Sequence, residues 1–412
     1  MERMVMKTSP NQLPINPHYL ALLLSVMVAI MPFSTDIYLS SVPEMATSLH
    51  APIDQIERSL ASFMFGVALG QLLGGAISDI KGRKIIAMIG LSVYLVSAIA
   101  IVFIHSAGEL LFWRWIQALG GGMATVTVGA TVRDFFHGNE AAKMFATIGI
   151  ITLAAPLAAP MLGTALAALG GWRVIFIFLL VYALAVLICV WRFMPQVKMD
   201  IQPLDSKVFR KIKENFSVVF HEREALGFMF FQTAAFAAMF VFLTESSFLY
   251  MNIYGLSPHQ YSWAFGANVI TMMLFNRVTA YRLRTTPARN ILLGGVLLQL
   301  SCNLLLTIVV WSMDRPPFFL LLLLIMFSIG SQGLIGSNTQ ACFMSYFRKI
   351  GGSANAVLGT MQFLIAATVG WLTTLLHNSS THVMPTMMLI STSCGAVLLW
   401  ALSHTAWQKK HK

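Results

Sequence analysis

Two acidic residues and one arginine stand where water is scarce. Asp36, Glu245 and Arg114 each lie inside a run of about twenty mostly apolar residues, the length that crosses a hydrocarbon core as an α-helix. A carboxylate at that depth costs roughly 2.5–3.5 kcal/mol on insertion scales, so such a group faces a cavity or a partner. A carboxyl poised between desolvation and a nearby cation loads and releases a proton. Asp36 is therefore the expected proton-binding group. Arg114, whose guanidinium keeps its charge, is the expected fixed cation that tunes it. The alternatives are a permanently ionised anchor for Asp36 and a static salt bridge between helices for Arg114. Glu245 lies five or six residues from the end of its run, on the order of 8–9 Å deep. It is expected to bind a second proton or to attract a cationic substrate.

Other chemistry is thinly represented. None of the ten histidines lies centrally in an apolar run; His105, His259, His377, His382 and His404 fall at loops and ends. No His, Cys, Asp and Glu group has metal-ligand spacing along the chain, and no nucleotide motif occurs. The expectation is no metal, no cofactor and no catalytic constellation. Energy for any pumping would then come from an ion gradient.

The elements that carry these residues follow from composition. The 412 residues are 57% hydrophobic and 10% charged, against roughly a quarter charged in soluble proteins. That excludes a soluble enzyme. Apolar runs near 19–42, 56–78, 85–104, 110–132, 143–168, 172–193, 225–250, 260–281, 290–312, 318–342, 354–376 and 384–404 predict an all-α polytopic membrane protein with twelve transmembrane helices. Of the 27 Lys and Arg, all but Arg58, Arg114, Arg173 and Arg315 fall in the tails or in one set of alternate loops. By the positive-inside rule both termini are cytoplasmic. The net charge of +11 thereby becomes a signal of topology, and nucleic acid is not needed as a partner. Cys189, Cys302, Cys342 and Cys394 fall in spans or at their cytoplasmic ends, where reduced packing residues are expected. The first apolar block is longer than the apolar segment of a cleavable leader, so it is expected to remain as span 1.

Six spans on each side of a polar stretch suggest two bundles, at 1–193 and 225–412, joined by a cytoplasmic linker at 194–224. Within the linker, Phe209, Ile212, Phe216 and Phe220 recur at helical spacing among Lys and Arg, the pattern of an amphipathic helix on the membrane surface. Phe33-Ser34-Thr35-Asp36 in span 1 and Phe242-Leu243-Thr244-Glu245 in span 7 hint at an internal repeat. Span 5 carries Pro156 and Pro160 four residues apart with Gly163 beyond them, a set that bends a helix and allows close contact.

The loop after span 2 runs Gly75-Ala-Ile-Ser-Asp79-Ile-Lys-Gly82-Arg83-Lys84. It resembles the signature loop of the major facilitator superfamily, with Ile80 where that family usually has arginine. Arg114, Gln117 and Gly120 resemble its span 4 motif, with Ala118 in place of a glycine. Ala155, Ala159, Pro160 and Gly163 resemble its antiporter motif, with Ala159 and Thr164 in place of glycines. Met31-Pro32-Phe33-Ser34-Thr35-Asp36-Ile37-Tyr38-Leu39, Arg133-Asp134, the doubled Ala-Pro of span 5 and Gly359-Thr360-Met361-Gln362-Phe363 resemble the bicyclomycin-resistance (Bcr/CflA) group of drug:proton antiporters. The resemblance implies two six-helix bundles that rock about a central cavity, and a gram-negative inner-membrane exporter acting as a monomer. Its substrate would be a small amphipathic compound exchanged for protons. It further implies that Asp79 meets the start of span 11, around Gly351-Gly352-Ser353. With predicted depth, it makes Tyr38, Gln117, Phe236, Asn268, Asn338 and Gln362 candidates to line the cavity. A dedicated metabolite or siderophore exporter of the same fold is the alternative; a membrane enzyme or passive channel fits less well.

Overall fold

Local signals start and stop the helices. The computed structural model describes residues 16–136, 138–196, 214, 216–313, 315–347, 350–377 and 380–405. α1 (Pro17–Asp36) opens with proline at its first position and with the Asn16 side chain accepting from the His18 N–H at 2.9 Å. It stops at Asp36, and a 3₁₀ turn at Leu39–Ser41 leads into the short α2 (Val42–Ser48). α3 (Ile53–Lys81) and α4 (Arg83–Val102) meet at Gly82, whose φ of 97° few other residues adopt. α5 (Ala107–Phe135) is capped by Ser106, α6 (Gly138–Gly170) holds Pro156 and Pro160 in its interior, and α7 (Trp172–Phe193) follows.

The second half repeats the scheme. α8 (Arg223–Ser247) runs on into a π-helical stretch at Phe248–Ile253. α9 (Pro258–Arg282) is opened by a capping box of Ser257 and Gln260. α10 (Ala288–Ser312) precedes α11 (Phe318–Gly330) and α12 (Gln332–Met344), which together form one span. α13 (Gly351–Leu375) and α14 (Val383–Ser403) complete the set. α1 and α8 each carry a carboxylate near the C-terminal end. Asp36 ends one and Glu245 lies two residues from the end of the other, while the Thr35 and Thr244 hydroxyls donate one turn back to Met31 O (3.3 Å) and Phe240 O (3.0 Å).

Among the described residues, ten helices, or helices joined end to end, are long and apolar enough to cross a membrane. α5 and α9 fall outside that set although they run 29 and 25 residues. Their apolar character is diluted by residues that turn inward, among them Arg114, Gln117 and Asn268, all buried. With these two the spans number twelve, arranged as two six-helix bundles, and the chain is a multi-pass membrane protein. In the first bundle α3 lies on α5, α4 on α5 and α7, and α1 on α6; in the second α8 lies on α14 and α12, α9 on α11, and α10 on α12. The bundles meet where α3 packs on α13 and α6 on α9. Large side chains such as Trp191, Trp311, Phe319 and Trp400 stay exposed on the outer faces, as a lipid environment permits.

Of the linker helix, Phe209 and Ile212 lie outside the described residues. Residues 216–221 are helical, with Val219 buried and Phe220 exposed. On the face opposite the basic loops each of the three arginines is occupied locally. Arg58 pairs with Asp54 at 2.7 Å, Arg173 donates to the carbonyls of Val102 and Ile104 (both 3.1 Å) at the end of α4, and Arg315 donates to Ile253 O at 2.9 Å.

Candidate functional site

The break after α1 creates the first part of the site. Gly163 of α6 presses against the carbonyl of Ile37, and a Cβ there would overlap that oxygen. Asp36, one residue earlier, is 5% exposed. The following residue Tyr38 is fully buried and its hydroxyl bonds to Ser59 Oγ at 2.8 Å. The antiporter-type stretch of α6 is thus the surface on which the acidic end of α1 is seated.

Arg114 reaches the same end of α1 by a route that spacing did not suggest. It is completely buried, donating from Nη2 to Ser34 O (2.7 Å) and from Nη1 to Gln117 Oε1 (2.7 Å). Its guanidinium carbon stands 4.2 Å from the Phe63 ring centre and 4.8 Å from that of Tyr38, distances suited to cation–π attraction. Among the described residues it has no carboxylate within 4.0 Å. The cation therefore holds the α1 backbone two residues before Asp36 and does not pair with Asp36 directly.

Glu245 lies in different company. It is 2% exposed, and its Oε2 is 3.1 Å from Nδ1 of His377, just beyond the end of α13. The imidazole in turn meets the Phe248 ring edge-on at 4.5 Å. The hydrogen bond to Glu245 holds the His377 imidazolium above the usual histidine range, against the opposing effect of burial. Glu57, on the second turn of α3, completes a trio whose ligand-type atoms lie within 4.8 Å of one another. Sequence reading left out Glu57 and placed His377 in a loop, because no local spacing joins residues from three distant segments.

A cavity of about 330 Å³ opens between the bundles toward the basic loops, lined by Gln71, Gln232, Gln340, Asn355, Gln362 and Phe363 among others, with Arg133 at its edge. Of the six candidate lining residues only Gln362 belongs to it. Tyr38, Gln117, Asn268 and Asn338 are buried in helix contacts, and Phe236 packs edge-on against Phe363 with ring centres 5.7 Å apart. The missed lining residues are uncharged amides within apolar runs; attention to charge alone passed over them. A larger hollow of about 460 Å³ lies between α1 and α7, lined by apolar side chains such as Leu22, Leu23 and Phe193 apart from the two tyrosines. Asp36, Arg114, Glu245, Glu57 and His377 do not line it, so the polar cavity is the better candidate.

At the turn after α3, Arg83 pairs with Asp79, bonds Ser78 Oγ at 2.8 Å and reaches Asp134 Oδ2 at 3.1 Å. The family model described as Major Facilitator Superfamily matches residues 24–370. The chain belongs to the Major Facilitator Superfamily. It is 28% identical over 351 residues to a bicyclomycin resistance protein homolog of Haemophilus influenzae, covering 85% of this chain and 87% of that one. It is 27% identical to a chloramphenicol resistance protein of Pseudomonas aeruginosa over 73% and 70% of the two chains. With the multidrug resistance protein MdtL of Klebsiella pneumoniae it shares 24% over 90% and 93%. Among solved structures the fold resembles a D-xylose-proton symporter, at TM-score 0.74 and 16% identity over 93% and 97% of the chains. In this superfamily chain the signature loop Gly75–Lys84 is tied through Arg83 to Asp134, at the end of α5. Asp79 pairs with Arg83, four residues along.

Proposed function

We propose that this superfamily transporter exports small amphipathic compounds in exchange for protons, by alternating access between its two bundles. Asp36 is the proton-binding group. The observation that carries this reading is a buried carboxyl at the point where α1 breaks, seated beside Gly163 of α6, with Arg114 bonded to the carbonyl of Ser34 two residues before it. A proton gained or lost there changes the charge of a segment in contact with three helices, which is the kind of change a rocking motion can follow.

The relatives named for bicyclomycin, chloramphenicol and multidrug resistance support a drug-like substrate class. The cavity supports an uncharged or weakly anionic one: its named polar walls are amides with Arg133 at the edge, and no carboxylate lines it. Glu245 then does not serve to attract a cation. The bundles 1–193 and 225–412 move as units about the 194–224 linker in a bacterial inner membrane. Both termini face the cytoplasm, where the Lys and Arg are concentrated. The protein acts as a monomer on substrate and protons within the bilayer, without covalent chemistry.

The test uses full-length protein in proteoliposomes with chloramphenicol and bicyclomycin as probes. Wild type should move at least one probe when a pH gradient is imposed. Asp36→Asn should abolish gradient-driven movement while leaving probe binding in place. Gradient-driven transport at the wild-type rate in Asp36→Asn would refute the assignment.

A further inference from the structure

The trio of Glu57, Glu245 and His377 joins both bundles on the face away from the basic loops. Glu57 comes from α3, Glu245 from α8 and His377 from the segment after α13, and none of them lines the cavity. Glu57 is 1% exposed, yet neither of its oxygens has a hydrogen-bond partner, and Oε1 of Glu245 has none either. The Phe248 backbone N–H also acts on Glu57, but its own hydrogen bond goes to the Glu245 carbonyl. Unpartnered buried carboxylate oxygens are rare and call for an occupant.

The smallest occupant that fits is the proton. Two carboxylates and a neutral imidazole carry two negative charges. One proton on the carboxyl pair and one on the imidazole remove both charges, among groups whose ligand-type atoms lie within 4.8 Å of one another. The 3.1 Å contact of Nδ1 with Oε2 is already a hydrogen bond. A metal ion would require both atoms to turn their lone pairs to a common centre. Other charges nearby are few: Asp54 acts on both Glu57 and His377, and is itself held by Arg58 at 2.7 Å.

We propose that Glu57, Glu245 and His377 form a second proton-binding site, separate from Asp36, that fastens the two bundles together on the face opposite the basic loops. The proposal rests on the transport reading for the membrane orientation alone. With its protons, the trio is a neutral hydrogen-bonded clasp; without them, two facing carboxylates push the bundles apart. His377, held above its ordinary value of 6.5, sets the sign. The clasp is complete below about that pH and is lost as pH rises through the higher value His377 has in the closed protein. Its protons arrive from and return to the same side. The site therefore makes the rate depend on external pH without adding to the protons carried per cycle.

The experiment places spin labels at Gly108, where an added side chain meets no neighbour, and at the exposed Met313. The background is full-length protein in nanodiscs with its four cysteines replaced. Inter-label distances are measured between about pH 5.5 and about pH 8.5. The open-to-closed ratio should rise at least about tenfold per pH unit near the transition. Glu57→Gln should stay closed throughout, and His377→Gln should shift or flatten the transition; the second variant serves if the first fails to fold. In the Asp36→Asn background a pH-dependent opening should remain that Glu57→Gln removes, which separates this site from the transport reading. A response that survives in both trio variants, or disappears in Asp36→Asn, overturns the proposal. So does opening of the acidic closed form by a chelator, which would identify a divalent ion as the occupant.

Discussion

Two glycines of α6 offer a paired experiment with opposite signs. Replacing a helical glycine by alanine gains about 0.8–1 kcal/mol of helix propensity. At Gly149 an added Cβ meets nothing within 4 Å, so Gly149→Ala should be stabilised by about that amount. At Gly163 the same methyl group would overlap the Ile37 carbonyl oxygen and lie 2.8 Å from the carbonyl carbon and 3.2 Å from Cγ1, where real Cβ contacts under 3.0 Å are essentially unknown. The oxygen belongs to backbone, so α1 has to retreat by about 1 Å. Overpacking of this kind costs about 1–3 kcal/mol. Subtracting the propensity gain leaves Gly163→Ala between neutral and about 2 kcal/mol less stable, and the two variants about 1–3 kcal/mol apart. Function should separate them further, because a displacement of about 1 Å at a reacting group costs on the order of 10²-fold in rate, and Asp36 is bonded to the residue that moves. Thermal unfolding in detergent, together with gradient-driven transport in proteoliposomes, measures both. If Gly163→Ala is as stable as Gly149→Ala and transports at the wild-type rate, the seating of Asp36 on α6 is wrong.

Two other substitutions test neighbouring parts of the argument. Arg114→Lys keeps the charge but loses the planar fork that binds Ser34 O and Gln117 Oε1 together. Losing one charged hydrogen bond should cost about 1.5–3 kcal/mol and displace the pH profile of transport, as read by thermal unfolding and by rate against pH. Asn303→Ala removes a fully buried amide that donates to Thr392 Oγ1 at 2.9 Å and accepts from Ser328 Oγ at 2.5 Å, linking three helices. Its expected cost is about 1–2 kcal/mol, with probe binding unchanged.

The spans and the buried Asp36 were legible in the sequence, because each depends on local composition. Burial of Glu57 was not legible. A charge in the second turn of a span looks solvated until α8 and the segment after α13 close over it, and only tertiary packing does that. The bond of Arg114 to the Ser34 carbonyl was not legible either, since a backbone carbonyl leaves no trace in side-chain chemistry. α5 and α9 show the reverse case. Their polarity lowers the apolar signal, and the same polarity identifies them as helices that face the interior.

The amide-lined cavity has a consequence for selectivity. A primary amide has a donor and an acceptor at nearly isosteric ends, so a half-turn of its terminal torsion exchanges them with little change of shape. Gln340 and Asn355, bonded Nε2 to Oδ1 at 2.8 Å, keep their bond if both turn together. A wall built from such groups presents many donor–acceptor patterns on one fixed backbone. A single binding surface can then accept chemically unrelated guests without a conformational search for each.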